Sequence, residues 1–560
     1  MTAVPAVTHG VRVPGSERLF RQVVLWVPLA GIALFFLYPL AIIVVRSLTQ
    51  RDGSIGFGNY TEFLSLGYLW TVIGNSLVMS GITAALCVGL GLVMAYAMSR
   101  TRMPLKWLVS LALALPLLAP SLVQALGLIF MFGRNGLISK FTGIELQVYG
   151  LPGLVMANTI YALPQAVMIL MVALRQADRR QYDAALMLGA SPWRRFMDVT
   201  LPGLRFGLLS AAFVCFSVTI TDFGNAAVIG GGYPVLASEI YSQVVGQMNF
   251  NMGAVVGILL LIPTLLAFYL EKIAAQRHTM AGEGALPVEP NRWWPRDVPL
   301  WGFSYLGTAF IVAVMGIVVY ASFVQLWPYN LGFTLKNYNI NLQGGYASLW
   351  TTIYAALITA VLGTLMLFAI VLAERNLSRT KAKLLYLLAI VPVGVPGLVL
   401  GLSYVLSFNT RAMFPGILYG TILLIALCNF YHYHSQGFLT MITGMRNVPR
   451  PLEETVASLG GGVGAQLRDA VVPVMMPTLV SVFFFLFMRG MVTLSAVIFL
   501  ITSKLSVAAV TVLRLDQTGR STQAAAFSVI IMVIVLAAMG VMRAALWWQA
   551  RRARMVAAGG

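Results

Sequence analysis

Polar gaps cut this chain into twelve apolar runs of about 17–27 residues, each long enough to cross the ~30 Å hydrocarbon layer of a bilayer as a helix. No other feature constrains the fold as tightly. Within a bilayer the backbone amides find no water, so a spanning segment must be a helix or part of a closed barrel. No alternating barrel pattern is present. The expected fold class is therefore all-α, a membrane protein of about 12 transmembrane helices. Composition agrees, since 59% hydrophobic and 10% charged residues leave too little polar surface for a soluble chain of 560 residues.

The runs lie near 23–46, 71–98, 107–132, 151–174, 204–230 and 254–270, then near 301–324, 350–373, 384–408, 417–441, 477–501 and 525–548. This divides the chain into an N-terminal tail (1–22), a first repeat (23–270), a linker (271–300), a second repeat (301–548) and a basic tail (549–560). The linker carries charges and Pro287, Pro290, Pro295 and Pro299. The first run is too long for a signal-peptide core and reads as an uncleaved anchor.

The net charge of +19 would suggest a nucleic-acid partner in a soluble protein. Here the basic residues sit in short loops beside the runs, as membrane topology requires, so no nucleic acid is expected. Arg175, Arg179, Arg180, Arg194, Arg195 and Arg205 fall between the fourth and fifth runs, and Arg100, Arg102 and Lys106 between the second and third. The positive-inside rule then places both termini, the linker and these loops in the cytoplasm. Cys87, Cys215 and Cys428 lie inside apolar runs and read as small core residues.

The two sets of six are copies. Asn158 and Asn429, Arg175 and Arg446, Gly189 and Gly460, and Pro202 and Pro473 are each 271 residues apart (158 to 429). Six spans per copy is an even number, so the repeats are parallel and related by an axis along the membrane normal, with a pathway at their interface. "YDAALMLGASPWRRFMDVTLP" (182–202) and "EETVASLGGGVGAQLRDAVVP" (453–473) occupy the same slot, between the fourth and fifth run of each copy. In the first, Asp183 is expected to start a short helix, Gly189 to stop it in a left-handed turn, and Ser191-Pro192 to start a second. Extra glycines (Gly461, Gly462, Gly464) are expected to loosen the second copy.

These loops resemble the signature of permease subunits of binding-protein-dependent ABC importers. That signature is Glu-Ala-Ala, three residues, Gly, nine residues, an aliphatic, one residue and Leu-Pro. Here it reads Asp183-Ala184-Ala185, Gly189, Val199 and Leu201-Pro202, and again Glu454-Thr455-Val456, Gly460, Ala470 and Val472-Pro473. The resemblance implies a fused two-half permease in the bacterial inner membrane. Its loops would dock two ABC ATPase subunits, and a periplasmic solute-binding protein would deliver the cargo. The chain has no G-x-x-x-x-G-K-[ST] phosphate loop, so it is expected to be no enzyme, with ATP and magnesium on the partner ATPase.

The segments at 222–257 and 495–513 look most like 2-aminoethylphosphonate permeases, with ferric-iron, thiamine and sulfate branches as alternatives. Asp222 and Arg489 are charges inside runs, and such residues face a cavity or a partner. They are expected either to contact cargo or to pair with each other across the repeat axis. His432 and His434, two apart on one helix, face different ways and make no metal site. Pro116/Pro120 and Pro392/Pro396 interrupt the third run of each copy and are expected to kink it. Trp293, Trp294, Trp547 and Trp548 read as membrane-interface anchors. An ion-gradient-driven transporter would explain the spans and the repeat but not the duplicated loop.

Overall fold

The computed structural model describes residues 15–50, 52–144, 146–281, 286–340, 345–409 and 417–559; most of the tail at 1–22 lies outside them. In the first half, α1 (Glu17–Leu48) and α2 (Gly67–Arg100) are followed by α3 (Lys106–Leu118), α4 (Leu122–Phe132) and α5 (Leu151–Arg175). Next come the short α6 (Arg179–Met187), the long α7 (Pro192–Ile220), the short α8 (Gly224–Ile229) and α9 (Leu236–Tyr241), and finally α10 (Phe250–Ala275). The second half repeats the order with α11 (Trp294–Ser322), α12 (Gly345–Asn376), α13 (Arg379–Gly394), α14 (Gly397–Phe408) and α15 (Ile422–Arg446). It closes with α16 (Arg450–Ser458), α17 (Val463–Val492), α18 (Ala508–Gln517) and α19 (Ser521–Arg552).

Ten of the described helical segments are long and apolar enough to cross a bilayer, counting α4 with its continuation to Thr142 as one, and α13 with α14 makes an eleventh, bent span. The run expected at 417–441 forms α15. It has the length of α5 and the same bounds 271 residues on, but it carries Asn429, His432, His434, Ser435 and Gln436. Such a helix suits a bundle interior rather than lipid, and Asn429, His434 and Ser435 are indeed buried.

The proline pairs do more than kink. In the second copy the chain turns through 101° between α13 and α14, after a 3-10 turn at Val391–Gly394. Carbonyls near the break are taken up by side chains: Ser435 donates to Ala389 (3.1 Å) and Ile390 (3.0 Å), and Thr264 donates to Gly394 (3.3 Å). In the first copy Gln124 donates to the Pro116 carbonyl at 3.0 Å. Side-chain donors of this kind are what make a broken helix tolerable at membrane depth.

Two expected spans end early. The run at 204–230 stops as a helix at Ile220, and the run at 477–501 stops at Val492. Apolar composition continues past both breaks, so hydropathy alone cannot mark them.

Each half lends its first helix to the other. α1 packs on α12 and α14 as well as on α10, and α11 packs on α2, α3 and α4 as well as on α19. The Tyr404 hydroxyl on α14 donates to the Phe35 carbonyl on α1 at 2.6 Å, and the Trp301 indole on α11 donates to the Thr101 hydroxyl after α2 at 2.7 Å. Beyond α11 a hairpin, β1 (Val324–Leu326) and β2 (Asn330–Phe333), is held to the first half where the Lys140 ammonium donates to the Pro328 carbonyl at 2.6 Å.

Candidate functional site

Two sets of residues can carry function: the duplicated loops at the basic end of the bundle, and a cavity between the halves.

The loops match element for element. α6 and α16 keep the 271-residue offset, and so do the turns that follow. Gly189 (φ +73°) and Gly460 (φ +83°) are both left-handed, and a side chain at either would meet open space, so the backbone angle is what requires glycine there. Behind them Ala190 N–H donates to Ala185 and Gly461 N–H to Val456, which closes both helix ends. The signature prolines also have a structural role. Proline lacks the amide that would continue the helical ladder, and a wider π-turn precedes it at Phe196–Thr200 and again at Leu467–Val471. Leu201 and Pro202 therefore begin the regular part of α7, as Val472 and Pro473 begin that of α17.

One expectation is corrected. Asp183 does not start the first loop helix. Asp178 does, accepting from Arg180 N–H at 3.0 Å, and Asp183 lies one turn inside with its carboxylate 3.5 Å from Arg179. The helix begins earlier because its first turn is polar and gives no apolar period to read. Ala184 and Ala185 follow on the same helix, and Glu454 occupies the matching place on α16. At the loop tips Met187 and Leu188 are each 87% exposed and Leu459 is 83% exposed, apolar surface that a partner would cover.

The fastenings differ. Ser191 caps the second loop helix by accepting from Arg194 N–H at 3.3 Å. Gly462, in the matching place, has no side chain to do so; Val463 N–H donates instead to the Glu17 carboxylate on α1, at 3.1 Å. The extra glycines thus leave the element bounds unchanged. In the second half Arg375, at the end of α12, pairs with Glu453 and donates to the Met445 (3.1 Å) and Val448 (3.0 Å) carbonyls. Its counterpart Arg100, at the end of α2, donates to the Leu174 carbonyl at 2.9 Å and faces the Tyr182 ring at 5.2 Å.

The cavity has a volume of 350 Å³ and is lined from both halves. Asp222, Glu271, Tyr161 and Gln165 come from the first half, and Arg489, His432, Tyr433 and the Val393–Gly397 turn from the second. Asp222 lies in the break after α7, not within the span, and accepts from Asn225 N–H at 2.9 Å. Arg489 stands 5.7 Å from the Tyr433 ring and 5.9 Å from that of Phe485. The two charges share the cavity, but no ion pair joins them among the described residues. Each has other company, so mutual pairing does not account for them.

His432 lines the cavity, while His434 is buried and stacks on Tyr431 at 5.7 Å; the two face different ways, and no metal-ligating group of three forms among the described residues. Glu271, half-buried beside the Ser210 hydroxyl (3.1 Å), escaped the sequence reading because it falls at the edge of the linker. Cys87, Cys215 and Cys428 are buried free thiols.

Residues 87–279 and 365–547 each match the family model described as "Binding-protein-dependent transport system inner membrane component". A ferric transport system permease protein from Actinobacillus pleuropneumoniae is 28% identical over 525 residues, covering 90% of this chain and 75% of the relative. A protein from Salmonella typhi, provisionally named a 2-aminoethylphosphonate transport system permease, is 26% identical over 264 residues, covering 45% of this chain and 91% of the relative. A thiamine transport system permease protein from Brucella abortus is 30% identical over 247 residues, covering 43% of each chain.

Proposed function

The chain belongs to the inner-membrane components of binding-protein-dependent transport systems, and from that premise we propose a cargo and a coupling geometry for it. It is a multi-pass permease of an ATP-driven importer, with both halves fused in one chain. The cargo is a small zwitterion, 2-aminoethylphosphonate. The observation that carries this reading is the cavity with opposite charges on facing halves: Arg489 on the second, Asp222 and Glu271 on the first. A guanidinium suits a phosphonate, and carboxylates suit an ammonium.

The basic end faces the cytoplasm, so both termini lie there. Two ATPase subunits, which hold ATP and magnesium, seat the exposed tips at Leu188 and Leu459, and a periplasmic binding protein delivers cargo at the other end. Closure of the ATPases moves the loops and rocks the halves about the cavity.

Ferric iron is the second reading. It is favoured by the ferric permease relative, which aligns over both halves, whereas the aminoethylphosphonate relative aligns over 264 residues.

The test is uptake of labelled 2-aminoethylphosphonate and, in parallel, of ferric iron, by cells lacking this gene with and without its restoration. Phosphonate uptake that follows the gene, with a KM about tenfold or more higher in Arg489→Gln, is the expected result. Iron uptake that follows the gene while phosphonate does not would replace the first reading with the second. An unchanged KM in Arg489→Gln would remove Arg489 from the pathway.

A further inference from the structure

A second cavity, of 950 Å³, opens at the basic end between the first loop, the end of α2 and the linker. Six arginines line it: Arg100, Arg102, Arg179, Arg195, Arg292 and Arg296. Asp183 and Glu289 are the carboxylates among its lining residues, and both lie near Arg179, at 3.5 and 3.7 Å. Arg296 is matched outside the lining by the buried Asp297.

Arg100 is the unusual member. It is 5% exposed, and no carboxylate pairs with it among the described residues. Its terminal nitrogens donate to the Leu174 carbonyl (2.9 Å) and the Val288 carbonyl (3.4 Å), but its Nε is buried with no partner. Arg195 Nε is buried and unpartnered too. A buried charged donor without an acceptor is unfavourable, and an acceptor supplied at that place is correspondingly stabilising.

The repeat provides an internal control. The matching cavity in the second half is 250 Å³ and is lined by Arg21, Arg375 and Glu453, with Arg375 and Glu453 paired. The place of Glu453 is taken in the first half by Tyr182, which offers Arg100 a ring face and no negative charge. One half therefore neutralises its buried arginine with Glu453, whereas no carboxylate does so for Arg100 among the described residues.

We propose that the first-half cavity binds a phosphate-bearing anion, which accepts from Arg100 and Arg195 and so ties the linker to the first loop. A tetrahedral dianion suits several guanidinium forks converging from different elements. Its source is either an anionic lipid headgroup, which basic pockets at the ends of spanning helices recruit, or a free phosphate compound in solution. Trp193 and Trp293 also line the cavity and would report its filling.

The test uses the full chain, delipidated in detergent, titrated with inorganic phosphate in one arm and dihexanoyl phosphatidylglycerol in the other. Tryptophan fluorescence and calorimetry read binding. One saturable site per chain is expected, weakened about tenfold or more by Arg195→Gln and by Arg102→Gln, and unchanged by Arg21→Gln in the matching cavity. Arg100 itself is left in place because it holds two backbone carbonyls and its loss threatens folding. Binding of the lipid alone assigns a headgroup, and binding of phosphate assigns a free anion. The proposal fails if neither probe binds, if Arg195→Gln and Arg102→Gln bind as the parent does, or if Arg21→Gln weakens binding equally.

Discussion

The two loops at the basic end have one backbone and two sets of fastenings. Both place a short helix, a left-handed glycine, a second short helix and a π-turn at the same register. The first is held by a serine cap, a cation–ring contact and the linker, where Arg179 N–H donates to the Leu286 carbonyl at 2.9 Å. The second is held by an ion pair and by a glutamate from α1. The shape of the loop is thus kept between copies by backbone chemistry, while its attachment depends on whichever neighbour lies beside it. Of these neighbours, Glu17 precedes the first repeat and Leu286 follows it, while Arg100 and Arg375 each belong to the same half as the loop they hold.

The sharpest way to break the comparison is to remove each attachment at the second helix. Glu453→Ala leaves the largely buried Arg375 with its two backbone carbonyls but without its carboxylate. A fully buried pair would cost about 3–5 kcal/mol to break; partial exposure of Glu453 lowers the expected loss to about 2 kcal/mol. Tyr182→Leu removes a cation–ring contact and the 2.9 Å hydrogen bond between the Tyr182 and Thr200 hydroxyls, and costs about 1–2 kcal/mol. Limited proteolysis of the loops should show the second released at somewhat lower protease than the first. Equal release would mean that the two fastenings are equivalent in strength.

Next in size is the left-handed turn. Gly189→Val or Gly460→Val strains the backbone by about 1–2 kcal/mol with no steric clash, since both sites are open. Uptake should fall about tenfold in either mutant while the chain stays in the membrane. A mutant that transports normally would show that its loop is not used for coupling.

The smallest effect separates the two caps. Ser191→Ala and Glu17→Ala should each cost about 1 kcal/mol of local helix stability. Hydrogen exchange should quicken at Arg194 in the first mutant and at Val463 in the second, and not the reverse. Faster exchange at Val463 in Ser191→Ala would mean that the loops are coupled through the bundle.

Much of this was legible in the residues. Apolar run length marks most of the helices, because lipid permits no alternative for a backbone without water. The 271-residue offset marks the repeat, and Gly189, Ser191 and Pro192 mark their turns because each residue type serves a local backbone need. Reading failed where local signals run out. The polar turn before Asp183 has no period, so nothing local marks Asp178 as the cap, and apolar composition continues beyond the ends of α7 and α17, so nothing local marks those either.

By itself the sequence determined the membrane class, the two copies and the glycine and proline turns of the loops, all of which follow from the solvent or from local backbone needs. Only the tertiary structure decided that Glu17 caps a loop 446 residues away and, among the described residues, that Asp222 and Arg489 share a cavity without pairing and that Arg100 lacks the carboxylate partner Arg375 has. Those outcomes depend on which distant helices come together, and a charge does not record in its own neighbourhood what will face it.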